Sequence, residues 1–303
     1  MQVGLHPTCM TFTFGKHPMD KTSFSFELFP PKTEKGMEKL KTVVAELDAL
    51  NPEYFSVTYG AGGSTRERTF ATVDWLREQG IDTAPHLSCI GADAEEILDI
   101  LNRYRNQGIR RIVALRGDLP SGTGLGGTGE FNYANELVEF IQANFPGEFH
   151  IEVAAYPEFH PQAENAWQDL DNFRRKVEAG ASGAITQYFY NADAYWRFLE
   201  DCRRRGIDIP IVPGIMPITN YVNLARFSDA CGAEIPRWLR KRLEAWGDDQ
   251  ASLQAYGVEV VTELCRKLLD GGAPGLHFYT MNQATAVLAI WEGLGLESGA
   301  PAA

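Results

Sequence analysis

Ser23-Phe24-Ser25-Phe26-Glu27-Leu28-Phe29-Pro30-Pro31 alternates apolar and small polar side chains, places one carboxylate near its end, and stops at two prolines. Successive strand side chains point to opposite faces, so Phe24, Phe26 and Leu28 share one face, and Ser23, Ser25 and Glu27 the other. Glu27 thus closes a narrow, small-residue face. Desolvation there favours the protonated acid, the form a general acid needs. A buried ion pair with Lys32 or an arginine fits the residue type equally well.

Outward from this strand the pattern repeats. Further strand candidates are Tyr54 to Thr58, Thr83 to Leu87, Arg111 to Arg116, Phe149 to Ala155, Gly183 to Phe189, Ile209 to Gly214 and Gly275 to Tyr279, eight in all. Amphipathic stretches follow each: Glu34 to Leu50, Arg66 to Gln79, Asp93 to Asn106, Asn132 to Asn144, Gln162 to Ala179, Ala192 to Arg205, Tyr221 to Ala230 and Gln283 to Leu294. Pro236 to Ala245 and Asp249 to Leu269 add two helices to the last repeat. Eight βα units predict an α/β fold, a single (β/α)8 TIM-type barrel over residues 23–296, with residues 1–22 as an N-terminal extension and 297–303 as a flexible tail. Barrel chemistry sits at strand C-terminal ends. Glu27, Thr58-Tyr59, His86, Arg116-Gly117-Asp118, Ala155-Tyr156 and Gln187 all fall there, and their convergence on one mouth carries more weight than any one of them.

Composition narrows the function. At 303 residues with 44% hydrophobic content the chain can bury a large core, and its 22% charged residues are ordinary for a soluble protein. A net charge of −12 argues against nucleic acid as a partner. The basic run Arg237 to Arg242 is expected to be a solvated helix face. Five scattered cysteines without a Cys-x-x-Cys spacing suggest reduced thiols in a cytoplasmic protein. No apolar stretch approaches the roughly 18 residues of a spanning helix, so no membrane association is expected.

Gly122-Thr123-Gly124-Leu125-Gly126-Gly127 matches Gly-x-Gly-x-x-Gly in form, but it does not run from a strand into a helix as a dinucleotide fingerprint does. Pro120 to Glu130 is expected instead to be a loop over the barrel mouth. His86, His160 and His277 lack metal-ligand spacing, and no metal is expected. Asp169, Asn172, Arg175 and Lys176 recur at helical spacing on one face. That face is either a solvated surface with internal ion pairs or a set of groups for ribose hydroxyls and a pyrophosphate.

Many motifs occur together: Ser25 to Lys32, Ser56-Val57-Thr58-Tyr59-Gly60-Ala61, Ala84-Pro85-His86-Leu87, Ala114 to Pro120, Ala154-Ala155-Tyr156-Pro157-Glu158, Ala184-Ile185-Thr186-Gln187, Pro213-Gly214-Ile215-Met216-Pro217 and His277-Phe278-Tyr279-Thr280. In this order they resemble the bacterial methylenetetrahydrofolate reductase family, over nearly the whole chain from Ser23 to Leu294. The resemblance implies an FAD-dependent barrel that passes hydride from NADH, or less favoured NADPH, to 5,10-methylenetetrahydrofolate in ping-pong fashion. It implies Glu27 as general acid, and Asp118 as the carboxylate near flavin and folate. For FAD it implies Tyr59, Ala61, His86, Arg116, Gly117, Asp118, Tyr133, Tyr156, His160, Ala163, Asp169, Asn172, Arg175 and Lys176, with Thr58 on the nicotinamide side. Gln187 and Phe227 match substrate-binding positions, although spacing alone makes Phe227 an ordinary core residue. The chain departs from the family pattern at Asn223, where relatives often carry Gln, and at Gln283, where they carry Arg; both lie on the folate side. Relatives form dimers or tetramers, so a homo-oligomer is expected.

Two other readings compete. A barrel lyase or aldolase would use a lysine Schiff base or a metal at the strand ends, where no lysine falls. A non-catalytic flavin- or folate-binding barrel would leave Glu27 as a paired structural carboxylate.

Overall fold

The alternating stretch at the start folds as strand β1 (Ser23–Leu28), with Phe26 and Leu28 fully buried. The computed structural model describes residues 22–59, 63–117 and 129–297. Asp118, Ala61 and the glycine-rich stretch Gly122 to Gly127 lie outside the described residues.

Strands and helices alternate after β1: α1 (Glu34–Asp48), β2 (Tyr54–Val57), α2 (Gly63–Glu78), β3 (Thr83–Ser88), α3 (Ala94–Asn106), β4 (Arg111–Leu115) and α4 (Ala134–Asn144). There follow β5 (His150–Ala155), α5 (Ala166–Glu178), β6 (Gly183–Thr186), α6 (Ala192–Arg204), β7 (Ile211–Val212), β8 (Gly214–Ile215) and α7 (Tyr221–Cys231). Helices α8 (Arg237–Trp246) and α9 (Gln250–Asp270) precede β9 (Gly275–Tyr279) and α10 (Thr285–Leu294). Side-chain caps fix several helix starts: Thr33 accepts from Gly36 N at 3.1 Å and Asp93 from Glu96 N at 2.8 Å. Each such cap is worth about 1 kcal/mol.

All strand pairs are parallel, in the order β7-β6-β5-β4-β3-β2-β1-β9-β8. The seventh predicted strand is split into β7 and β8, because Pro213 has no N–H to give the ladder. The first half pairs with β6 and the second with β9. Only Pro213 separates the two ends of the order, so the sheet closes on itself as the predicted barrel. The junction keeps its backbone satisfied: Pro213 O accepts from His277 N at 3.0 Å, and Gly214 N donates to Thr186 Oγ1 at 2.9 Å.

Most of the core lies between barrel and helices. Phe26 packs against Phe55 and Phe278 at ring-centroid distances of 5.6 and 5.8 Å, and burial of each such ring is worth about 2–3 kcal/mol. A smaller apolar layer of Tyr54, Ala84, Val113 and Ile185 fills the barrel interior. At the N-terminal rim the buried Glu152 carboxylate takes bonds from Arg111 (2.6 Å) and His150 (3.0 Å). Burial alone would raise its pKa, but these two partners outweigh that and hold it below the usual range.

Several helix starts differ from expectation, among them α2, which begins at Gly63 and not at Arg66, and α4, which begins at Ala134 and not at Asn132. Helix α5 begins at Ala166 and not at Gln162, because Asn165 caps it by accepting from Trp167 N and Gln168 N. Helix α10 begins at Thr285, leaving Gln283 in the preceding turn. No helix among the described residues is long and apolar enough to cross a membrane.

A Cβ at Gly214 would run into the Thr186 carbonyl and the Tyr279 ring, at the point where the barrel closes. Gly214→Ala is therefore expected to destabilise the fold by about 1–3 kcal/mol, the usual cost of overpacking. Chemical denaturation measures this; a midpoint equal to wild type would mean that closure does not depend on the close approach.

Candidate active site

Glu27 leaves β1 on the inner face and is 7% exposed. Its Oε2 lies 3.4 Å from His86 Nε2 and 3.9 Å from His277 Nε2. Neither contact is a hydrogen bond, and His86 Nε2 is buried with no such partner at all. Burial pushes the His86 pKa down; the Glu27 charge opposes this and His277 adds to it. The ion pair with Lys32 or an arginine, allowed by residue type, is replaced by two imidazoles.

The backbone under Glu27 is clamped by the turn after β9. Thr280 Oγ1 donates to Glu27 O at 2.6 Å, while the Asn282 amide both accepts from Phe29 N and donates to Phe29 O, each at 2.8 Å. Met281 and Asn282 adopt positive φ angles of 52° and 53° to make this turn, a conformation uncommon outside glycine.

The expected cofactor residues gather on neighbouring strand ends. Thr58 follows β2, its N donating to Leu28 O at 3.0 Å, and Tyr59 lies next to it, its pKa raised by burial against the opposing effect of Arg66. Arg116 follows β4 and reaches Gln162 Oε1 at 2.7 Å. Gly117 has φ +85°, and a Cβ there would meet Ile90 Cγ2 at 2.9 Å and Ser88 Cβ at 3.0 Å, so no larger residue fits this turn without strain. Tyr133, at the start of α4, is 59% exposed.

Between β5 and α5 the chain builds a second polar cluster. Tyr156 meets His160 edge-on at 4.6 Å, His160 N donates to Asp169 Oδ2 at 3.0 Å, and Ala163 N donates to His160 O at 2.9 Å. Asn172 Oδ1 accepts from Arg175 at 3.3 Å, which leaves both side chains at the surface. Lys176 turns inward and donates to Ala154 O. Burial lowers its pKa to about 8, with Asp169 opposing; burial likewise raises the Asp169 pKa. The helix face is thus partly internally paired and partly directed at β5. No lysine falls at a strand end in the sequence, yet Lys176 brings an ammonium to one from the following helix.

The chemistry of these groups is of the kind that could hold a flavin dinucleotide. Arg116, Arg175 and Lys176 could offer cations to a pyrophosphate, Asp169 could accept from ribose hydroxyls, and His86 Nε2 is a ring nitrogen without a hydrogen-bond partner. Gln187 follows β6, its Oε1 accepting from Tyr188 N at 3.0 Å. Phe227 on α7 is 37% exposed, so it is not the core residue its spacing suggests. Asn223 and Gln283 are exposed as well. A separate cavity of about 400 Å³ lies in the helical layer between α2 and α3, lined by Arg66, Phe70, Glu96 and Arg103 among others, and not inside the barrel. Among the described residues no His, Cys, Asp or Glu group could hold a metal ion.

Asn282 escaped the sequence reading, and Thr280 and His277, quoted there within a motif, were given no positioning role. Thr280 and Asn282 look like ordinary turn residues, and only the β1–β9 register brings them to Glu27. His277 had a usable signal: it sits between Leu276 and Phe278 in β9, paired with Ser25, a polar residue inside an apolar strand just as Glu27 is.

Comparison with known proteins gives this arrangement its context. The sequence profile of the family described as Methylenetetrahydrofolate reductase matches residues 14–295. The 5,10-methylenetetrahydrofolate reductase of Escherichia coli (strain K12) is 40% identical over 276 residues, 91% of either chain. Methylenetetrahydrofolate reductase (NADH) 1 of Arabidopsis thaliana is 39% identical over 288 residues, covering 91% of this chain and 49% of that one. A Clostridium thermocellum protein described as binding two copies of 5-methyl-5,6,7,8-tetrahydrofolic acid shares the fold with a TM-score of 0.63, over 90% of this chain and 93% of its own, at 17% identity. By the family profile and the end-to-end similarity to the bacterial reductases, this chain belongs to the methylenetetrahydrofolate reductase family.

Proposed function

We propose that this chain is a flavoprotein oxidoreductase that reduces 5,10-methylenetetrahydrofolate to 5-methyltetrahydrofolate with a reduced nicotinamide, NADH by preference, in alternating half-reactions at one mouth. The observation that carries the reading is Glu27, a carboxyl group 7% exposed at a strand end, facing two histidines and, among the described residues, no cation of fixed charge. A structural carboxylate in that position would take an arginine or lysine, as Glu152 takes Arg111 at the other end of the barrel.

FAD, when bound, carries the hydride equivalent from nicotinamide to folate. Arg116, Arg175 and Lys176 would hold its pyrophosphate, Asp169 and Asn172 its ribose hydroxyls, and Thr58, Tyr59, His86, Gly117, Tyr133, Tyr156, His160 and Ala163 the remaining contacts. Opening the five-membered ring of the folate needs a proton at the departing nitrogen and leaves an iminium electrophile. Glu27 supplies that proton, and the resulting carboxylate stabilises the positive charge. Asp118 and Ala61 enter this scheme by resemblance alone. Gln187 would bond the pterin, and the exposed Phe227 would stack on bound substrate. A homo-oligomer in the cytoplasm completes the reading, to which the free thiols of Cys89, Cys202, Cys231 and Cys265 lend support.

The lyase alternative draws one observation, the lysine with a pKa lowered to about 8, but Lys176 comes from a helix beside β5 and not from a strand end inside the barrel, and one of its N–H groups is given to the Ala154 carbonyl.

Glu27→Gln separates these readings in anaerobic half-reactions. Flavin reduction by NADH, which needs no general acid, is expected to persist, while reoxidation by 5,10-methylenetetrahydrofolate falls by about 10²–10⁴-fold. Folate turnover at the wild-type rate would remove Glu27 from its role. At the folate side, an arginine at position 283 can pair with the glutamate carboxylate that Gln283 cannot hold by charge. Gln283→Arg is expected to lower the KM for a polyglutamylated substrate by roughly threefold, the size of an exposed ion pair; an unchanged KM would exclude the contact.

A further inference from the structure

Glu27 is the top of a stack of side chains inside the barrel. His277, fully buried on β9, presents Nε2 to Glu27 Oε2 at 3.9 Å and bonds Ser25 Oγ through Nδ1 at 2.7 Å. Ser56 Oγ lies 3.5 Å from the same Nε2. Below it the Tyr54 ring stacks at 6.2 Å, and the Arg111 guanidinium lies over the other side of the column, 4.5 Å from the Tyr54 ring centre. Tyr54 also bonds Ser25. His277 is therefore wedged from beneath and held at both ring nitrogens, by Ser25 at Nδ1 and by Ser56 at Nε2, and the same Nε2 faces the Glu27 carboxyl group at 3.9 Å.

A histidine packed in this way costs desolvation, and a leucine would fill the same space in the apolar layer of Tyr54, Ala84, Val113 and Ile185. Its Nε2 lies between Ser56 Oγ at 3.5 Å and the Glu27 carboxyl group at 3.9 Å. If Ser25 donates to Nδ1, the ring proton sits on Nε2, facing the carboxylate that Glu27 becomes once its proton has gone to substrate.

We propose that His277 is the positioning residue for the general acid: it orients the Glu27 carboxyl group and stabilises its carboxylate form through the chain Ser25–His277–Glu27. The inference rests on the reading of Glu27 as the acid. Among the described residues, the other ionisable groups around this pair are His86 from β3, Tyr54 from β2 and Tyr279 from β9, with Arg111 and Glu152 beneath Tyr54. Of these, His86 also faces the Glu27 carboxyl group, and Tyr279 feels its charge.

The test uses two variants that divide the histidine's edges. His277→Asn keeps a group at the Nδ1 position for Ser25 and cannot reach Glu27; His277→Gln can reach it. The carboxyl stretching band of Glu27, identified by its loss in Glu27→Gln, is followed by infrared difference spectroscopy across pH in the protein without added substrate. The midpoint is expected to rise by about one unit in His277→Asn, because the Nε2–H that would turn from Ser56 to the newly formed carboxylate is gone, and to return toward wild type in His277→Gln. In single-turnover reoxidation of the reduced holoenzyme by 5,10-methylenetetrahydrofolate, His277→Asn is expected to slow the rate about tenfold and to move its pH profile the same way. Ser25→Ala, which frees Nδ1, serves if His277→Asn does not fold, with a smaller shift in the same direction. An unmoved midpoint, or equal effects of Asn and Gln, would reduce His277 to a packing role. Wild-type folate turnover in Glu27→Gln would instead remove the general acid itself, while the infrared midpoint would still decide the His277 contact.

Discussion

Every strand of a closed barrel must be bonded on both edges, and here closure is made by one strand that breaks at Pro213 and gives its halves to different neighbours. Everything at the mouth follows from that junction. Gly214 admits the Thr186 carbonyl and the Tyr279 ring, β9 then lies between β8 and β1, and the turn after β9 reaches Glu27 and Phe29. A side chain larger than hydrogen at position 214 would push β9 away from β6 and loosen the same turn that holds the general acid. Stability of the barrel and placement of the acid are one problem in this chain.

The interior solves a second problem, that of keeping polar groups dry without neutralising them. The two ends of the barrel use opposite means. At the N-terminal rim Glu152 is tied to Arg111 and His150, so its charge is fixed and its role is structural. At the C-terminal mouth Glu27 has imidazoles for neighbours, groups that can give or withhold a hydrogen bond without imposing a permanent charge. The same residue type is thus tied to a guanidinium at one end and set against imidazoles at the other. Tyr54, Ser25 and His277 connect the two ends through the layer between them.

The barrel was legible because its elements carry strong local signals: period-two strands, capped helices, and prolines after β1. The eight strand positions emerge where expected, and the split of the seventh could have been suspected from Pro213, which cannot sit inside a ladder. Glu27 was legible for a different reason, being a charged residue on a strand face otherwise built of serines. What stayed hidden depends on contacts far apart in the chain. The Asn282 clamp on Phe29 and the inward turn of Lys176 to Ala154 arise from register and helix docking, which no local pattern encodes. Phe227 was misplaced by periodicity, because an aromatic at core spacing on an amphipathic helix reads the same whether it faces the core or a substrate. Asp118 was singled out by strand-end position and resemblance, and it falls outside the described residues.

A flavin at the barrel mouth, serving both half-reactions, is the central claim. The direct measurement is the visible absorption of the purified protein after incubation with FAD and desalting, followed anaerobically on adding NADH and then 5,10-methylenetetrahydrofolate. Retained flavin bands that bleach with NADH and return with the folate are the predicted result. A folded protein that emerges colourless, or a bound flavin that the folate fails to reoxidise, would contradict it.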